Sequence, residues 1–204
     1  DAHEAMAHRA GSALSQVRKP TGNPEASATQ RCWPGNGMTH DERLAREAIR
    51  DTIARYTIAG DRLKVEDFIA CFTDDAVIES EGVPEDRAFR YAGREAIRGW
   101  QERWLDAARQ GRPVHAASFA RHHLTTSQIV LTRPDTARAR TYWQAWTDIG
   151  PDHAGFYLDG FRREGERWLI AHRRIRLDWE AEGSLFKNAV ANTNPDRDHT
   201  DERI

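Results

Sequence analysis

Residues Arg55–Ser80 read RYTIAGDRLKVEDFIACFTDDAVIES. This stretch predicts the end of one helix, a break at Gly60, a second short helix from Val65 that ends near Thr73, and a strand that begins at Ala76. Phe68, Ile69 and Phe72 recur at the three- and four-residue spacing that makes one face of a helix. Asp61 stands between two apolar-faced helices, where the chain must bend inward. A carboxylate there is either a helix N-cap or a working group. The rest of the chain must supply its partner.

Upstream, Thr39 and Glu42 carry the capping-box signature. Leu44, Ala48, Ile49, Ile53 and Tyr56 then recur at helical spacing as one apolar stripe. Residues 1–37 hold few large apolar side chains and no sustained period, which predicts a disordered leader or extension, with Met38 a natural start. Downstream, Gly82 to Arg90 reads as a polar loop. Gly93 to Arg109 reads as a third helix, with Ala96, Ile97, Trp100 and Trp104 facing the core and Gly111 and Pro113 closing it. Four strands follow: His122–Leu131, Thr136–Thr147, Gly155–Arg163 and Trp168–Trp179. Turn signals at Arg133-Pro134-Asp135, Gly150-Pro151-Asp152 and Glu164-Gly165-Glu166 separate them. Residues 183–204 are polar and read as a flexible tail. Residues 38–182 thus predict one α+β domain, a curved antiparallel sheet packed against three N-terminal helices.

Among the 204 residues, 30 basic side chains nearly balance 32 acidic ones, which argues against a nucleic-acid or membrane-surface partner. No apolar run approaches the ~20 residues of a membrane-spanning helix. The N-terminal region lacks the pattern of a signal peptide, so the expected compartment is the cytoplasm. Two cysteines make no disulfide framework: Cys71 reads as buried and Cys32 lies in the leader. There is no glycine-rich phosphate loop, no G-x-S-x-G elbow and no HExxH, and no spacing supports a metal site.

The last strand is the most informative about chemistry. Leu169, Ala171, Arg173, Ile175, Leu177 and Trp179 alternate on one face, and Arg173 is its only charge. An inward arginine needs an anionic partner. It is either half of a buried salt bridge or an anion-stabilising group in a cavity, with Asp61 or a substrate opposite. His122 and His123 are adjacent on a strand and point to opposite faces. Alternation does not choose between them, because Leu124 and Val130 accompany His122 while Ile129 and Leu131 accompany His123.

The order AIRDTIARYTIAGDRLKVEDFIACFTDDAVIE, YAGREAI, RHHLTTSQIVL, DTARARTYW and GFYLDGFRREGERWLIAHRRIRLDW resembles the SnoaL-like branch of the nuclear transport factor 2-like superfamily, a cone-shaped α+β fold. Within it the chain is most similar to scytalone dehydratase, bile-acid 7α-dehydratase and hexachlorocyclohexane dehydrochlorinase, which share a cofactor-independent His–Asp dyad. Their aspartate stands 13 residues before a paired acidic motif, as Asp61 stands 13 before Asp74. Their histidine precedes a Thr-Asn pair by three residues, as His122 precedes Thr125-Thr126, which selects His122 over His123. The dehydratases carry a tyrosine five residues before the aspartate, matching Tyr56. The dehydrochlorinase carries an arginine five residues after the last strand's tryptophan, matching Trp168 and Arg173. Thr126 replaces the usual asparagine, and Ala145 falls where the bile-acid enzyme has a further acidic residue.

The resemblance implies a cofactor-independent lyase, of dehydratase or dehydrohalogenase type, acting on a small, largely apolar or aromatic substrate. His122 would be the base, Asp61 its orienting partner, Tyr56 a hydrogen-bond donor and Arg173 a stabiliser of developing negative charge. Trp143, Phe68, Phe72 and Thr126 would line the substrate site. An isomerase or epoxide hydrolase of the same fold is the alternative, as is a ligand-binding or assembly module without chemistry. The resemblance also implies a homo-oligomer, a trimer before a dimer. Arg138, Arg140, Tyr142, Gln144 and Trp146 alternate on one strand face and would belong to its interface.

Overall fold

The computed structural model describes residues 37–110 and 117–187. The leader, Gly111, Pro113 and residues 188–204 lie outside the described residues. Helix α1 (His40–Asp61) is followed by α2 (Val65–Ile69), β1 (Phe72–Glu81), a 3-10 turn (Glu85–Arg87), β2 (Arg90–Ala92) and α3 (Arg94–Arg109). Strands β3 (Arg121–Arg133), β4 (Thr136–Thr147), β5 (Gly150–Glu164) and β6 (Arg167–Glu180) complete one six-stranded sheet, ordered β2-β1-β6-β5-β4-β3. Every neighbouring pair is antiparallel except β1 and β6, which run parallel. Helix α3 and strands β2–β5 lie between these two strands in the chain, the long crossover that a parallel pairing requires.

The capping box at Thr39 and Glu42 is present, and α1 buries Ile49, Ile53, Tyr56 and Ala59 on one face. Leu44, expected on that stripe, is exposed instead, because α1 outreaches the sheet at its N-terminal end. Gly60 does not end the helix. The end is a paired C-terminal motif in which Lys64 N–H donates to Ala59 O (2.9 Å) and Leu63 N–H donates to Gly60 O (3.1 Å). Leu63 takes the left-handed conformation that this motif needs, with φ 52°. The turn therefore falls after Asp61 and leaves that residue on the last helical turn, aimed at the sheet.

Helix α2 is shorter than its apolar spacing suggests. Phe72 already pairs with Ile170 of β6, so the strand begins four residues before Ala76. The loop after Gly82 contains the edge strand β2, whose Tyr91 stacks on Trp100 of α3 at 5.8 Å. Trp100 and Ile97 are buried as expected, Trp104 is half-buried, and Ala96 faces solvent. Residues 183–187 are no loose tail. Ser184 Oγ donates to Asp152 (2.6 Å) and Leu185 N–H donates to the same carboxylate (2.9 Å).

β-Bulges decide which side chains point inward. On β3 the register shifts between Leu124 and Ser127, so His122 and Leu124 share the concave face with Ile129 and Leu131. Between β5 and β6 a shift at Ala154–Gly155 turns Glu180 inward and leaves Trp179 half exposed, against strict alternation. Gly155 is obligatory there: a Cβ would lie 1.9 Å from Arg176 O. A further shift at Gly160–Phe161 sets Asp159 opposite Arg173.

That last pairing answers the question raised by Arg173. Its Nε and Nη2 donate to the two oxygens of Asp159 at 2.8 and 2.7 Å, and neither side chain has any exposed surface. The guanidinium also lies over the rings of Tyr56 (4.0 Å) and Tyr157 (4.2 Å). Arg173 is half of a buried salt bridge, and Asp61 is not its partner. Removing one member leaves an uncompensated buried charge, so Asp159→Leu is expected to cost about 3–5 kcal/mol in urea denaturation. The Asp159→Leu/Arg173→Met double variant should recover part of that loss. A cost below about 1 kcal/mol for the single change would show that the pair is not desolvated.

Candidate active site

Asp61 is almost fully buried and uses both carboxylate oxygens on one residue. Oδ1 accepts from His122 Nδ1 at 2.6 Å, and Oδ2 accepts from the His122 backbone N–H at 3.0 Å. The end of α1 is thereby fastened to the start of β3. A carboxylate only accepts, so the imidazole carries its proton on Nδ1 and keeps a lone pair on Nε2. Asp61 is not an N-cap: α2 is capped at Lys64 without a side-chain hydrogen bond.

Both residues line a cavity of about 730 Å³ between the helices and the concave face of the sheet. Its walls include the aromatic rings of Phe68, Phe89, Trp100, Trp104, Trp143 and Phe186. Tyr56 and Tyr157 also line it, and burial raises both phenols above the ordinary tyrosine value against the lowering effect of Arg173. Both phenols therefore stay neutral at physiological pH. At another side Arg87 forms a two-bond ion pair with Glu180, at 2.9 and 3.1 Å. Among the described residues, no group of three or more His, Cys, Asp or Glu could hold a metal ion.

The cavity holds a second histidine that sequence reasoning missed. His153 Nδ1 bonds Asp152 Oδ1 at 2.7 Å, and its ring centroid lies 6.1 Å from that of His122. The two come together through strand register. His122 of β3 pairs with Ala145 of β4, which pairs with His153 of β5, so one small buried residue separates them, on the two strands that flank β4. Burial pushes the Asp152 carboxyl up, but bonds from Ser184, Leu185 and His153 outweigh it and hold the group below its ordinary value. Burial also holds the His153 imidazole below its ordinary value, against the raising effect of Asp152. Gly150-Pro151-Asp152 had read as a turn, whereas β5 already begins at Gly150. Alternation carried back from Tyr157 through Gly155 would have reached His153.

The other expected site residues divide. Tyr56, Phe68 and Trp143 line the cavity with Asp61 and His122. Phe72 is buried behind the wall, 5.8 Å from the Tyr56 ring. Thr126 sits in the β3 bulge and faces solvent. Arg173 is sealed behind Tyr56 and Tyr157 and does not line the cavity, so it positions those rings instead of meeting a ligand. His123 is exposed beside Trp146, 6.0 Å between centroids. Arg138, Arg140, Tyr142 and Trp146 of β4 are likewise on the outer face.

A histidine held neutral in the native state binds its proton more readily when unfolded. Stability from His153 is therefore fully present above the unfolded value of about 6.5 and is lost as pH falls through the lower folded value. The melting temperature is expected to fall below about pH 6.5, and to fall less steeply in His153→Gln. An identical slope in that variant would mean that burial does not hold His153 neutral.

Comparison with known proteins agrees with this architecture. The sequence profile of the SnoaL-like domain matches residues 41–174. No curated protein matches the chain. Among solved structures, a protein of unknown function from Mycobacterium tuberculosis, Rv3472, is 23% identical over 68% of this chain and 74% of its own, with a TM-score of 0.55. A candidate scytalone dehydratase from Novosphingobium aromaticivorans is 21% identical over 71% of this chain and 91% of its own, with a TM-score of 0.56. A hexachlorocyclohexane dehydrochlorinase from Novosphingobium barchaimii is 16% identical over 69% of this chain and 91% of its own, with a TM-score of 0.53. At these identities the likeness establishes a shared fold. No helix among the described residues is long and apolar enough to cross a membrane. With two-thirds of its length matched by the family profile, the chain belongs to the SnoaL-like domain family.

Proposed function

We propose that the protein is a lyase that removes a proton from carbon and expels a leaving group from the neighbouring carbon, without a cofactor. The observation that carries this reading is the pair of hydrogen bonds that Asp61 accepts from His122 at the wall of a cavity lined by aromatic rings. Asp61 fixes the tautomer that leaves Nε2 as the base and stabilises the imidazolium that forms. The 2.6 Å Nδ1–Oδ1 contact is at the short end expected of a charge-assisted bond.

In the reaction His122 Nε2 takes the proton of the activated C–H. The C–H electron pair becomes the new C=C bond, and the leaving group departs with its own pair. Where it leaves as hydroxide, the imidazolium can return the proton, so that water is released and His122 is neutral again. Tyr56, a neutral phenol lining the cavity, would donate to an oxygen that gains charge as the proton leaves. Arg173 enters only by holding Tyr56 and Tyr157 in place. The volume, about 730 Å³, suits a ligand of two or three fused rings. Among the described relatives of this fold, a scytalone dehydratase candidate and dehydrochlorinases give the reaction class its precedent.

The test is a panel of cyclic β-hydroxy and β-halo ketones followed by loss of water or halide. His122→Ala is expected to lower turnover by about 10²–10⁴-fold, the usual worth of a positioned base. Asp61→Asn should lower it by at least about 10²-fold with little change in KM, since the proton moves to the wrong nitrogen. Turnover that survives His122→Ala would overturn the mechanism.

A further inference from the structure

The cavity has two imidazoles built alike. Each donates Nδ1–H to a carboxylate, Asp61 for His122 and Asp152 for His153, and each leaves Nε2 without a protein hydrogen bond among the described residues. Both line the same space. The lyase reading uses only His122, which leaves the His153 lone pair to be explained.

The two rings differ in surroundings. The His153 side chain is 11% exposed, against 27% for His122. It is wedged between the Trp143 ring at 5.5 Å and the Phe186 ring at 4.8 Å. Its carboxylate partner has no exposed surface and is fixed by four hydrogen bonds, from Thr147, His153, Ser184 and Leu185. Titratable groups near the ring are His122, whose imidazolium form would work against a proton on His153, and Asp152 and Glu180, which favour one; burial prevails. The His153 ring lines the cavity among aromatic side chains, where a hydrogen bond to its acceptor nitrogen meets less competition from water. Water reaches His122 more readily, so its lone pair is the less demanding of the two.

We propose that His153 is a specificity-determining residue whose Nε2 accepts a hydrogen bond from a hydroxyl group on an aromatic or polycyclic ligand. The ligand's hydroxyl would sit at His153 while its ring lies along Trp143, with the carbon that loses its proton towards His122. The substrate class is thereby narrowed to hydroxylated ring compounds. This deepens the lyase reading and rests on the same cavity, but its test measures binding, so it can fail while the elimination mechanism stands, and the reverse.

The experiment is calorimetric titration of the full chain with 2-naphthol and with 2-methoxynaphthalene, which keeps the oxygen and lacks the donor. The wild type is expected to bind 2-naphthol roughly tenfold more tightly, the worth of one hydrogen bond to a buried acceptor. His122→Phe should keep that preference, His153→Phe should reduce it to less than about twofold, and His153→Gln, whose amide oxygen can accept, should restore part of it. His153→Gln also covers the case in which His153→Phe does not fold. Equal binding of the two compounds by the wild type, or binding of neither, would overturn the proposal. So would a preference that survives both His153 variants or is lost only in His122→Phe.

Discussion

Two hydrogen bonds from one histidine to one carboxylate organise the working half of this molecule. Asp61 ends the first helix and His122 opens the third strand, 61 residues apart in the chain. The helix stops where it does because Leu63 accepts a left-handed conformation. The carboxylate then meets the ring and the backbone N–H of the same residue. The second bond matters as much as the first, since it fixes the strand as well as the imidazole. A histidine so held has one tautomer and one direction, and its free lone pair is aimed before any ligand arrives. Preorganisation of this kind lowers the cost of reaching a transition state.

Behind the cavity a second charge pair does structural work. Arg173 and Asp159 face each other across adjacent strands with no exposed surface. Their mutual attraction offsets desolvation that neither could bear alone. The guanidinium in turn supports the faces of Tyr56 and Tyr157, which form part of the cavity wall. This charge pair thus stays outside the cavity, whose wall carries phenols, indoles and imidazoles beside the Arg87–Glu180 ion pair. Such a surface suits a flat, weakly polar molecule whose few polar groups decide its orientation.

Much of this was legible in the residues, and what was not has a common cause. Helix faces and the four C-terminal strands follow from periodicity and turn signals, and spacing in the family pattern singled out Asp61, His122 and Tyr56. Side-chain direction on strands depends on counting in twos, and each bulge breaks the count. The bulge at Thr125–Thr126 is why alternation could not choose between His122 and His123: it lets His122 share a face with Ile129. Uninterrupted pairing from the Glu164–Arg167 turn would set Asp159 opposite His172; the bulge at Gly160 moves it to Arg173. His153 was hidden by a Gly-Pro-Asp sequence that ordinarily marks a turn but here starts a strand. Asp152 of that triplet instead anchors residues 184 and 185, which polar composition had assigned to a tail.

The central claim is that Asp61 sets the tautomer of His122, and imidazole nitrogen NMR reads that directly. A long-range proton–nitrogen correlation spectrum at neutral pH, assigned with His122→Gln, distinguishes a protonated from an unprotonated ring nitrogen. The structure predicts that His122 carries its proton on Nδ1 and leaves Nε2 bare, and that Asp61→Asn redistributes the proton between the two. A wild-type His122 protonated on Nε2, unchanged by Asp61→Asn, would contradict the account.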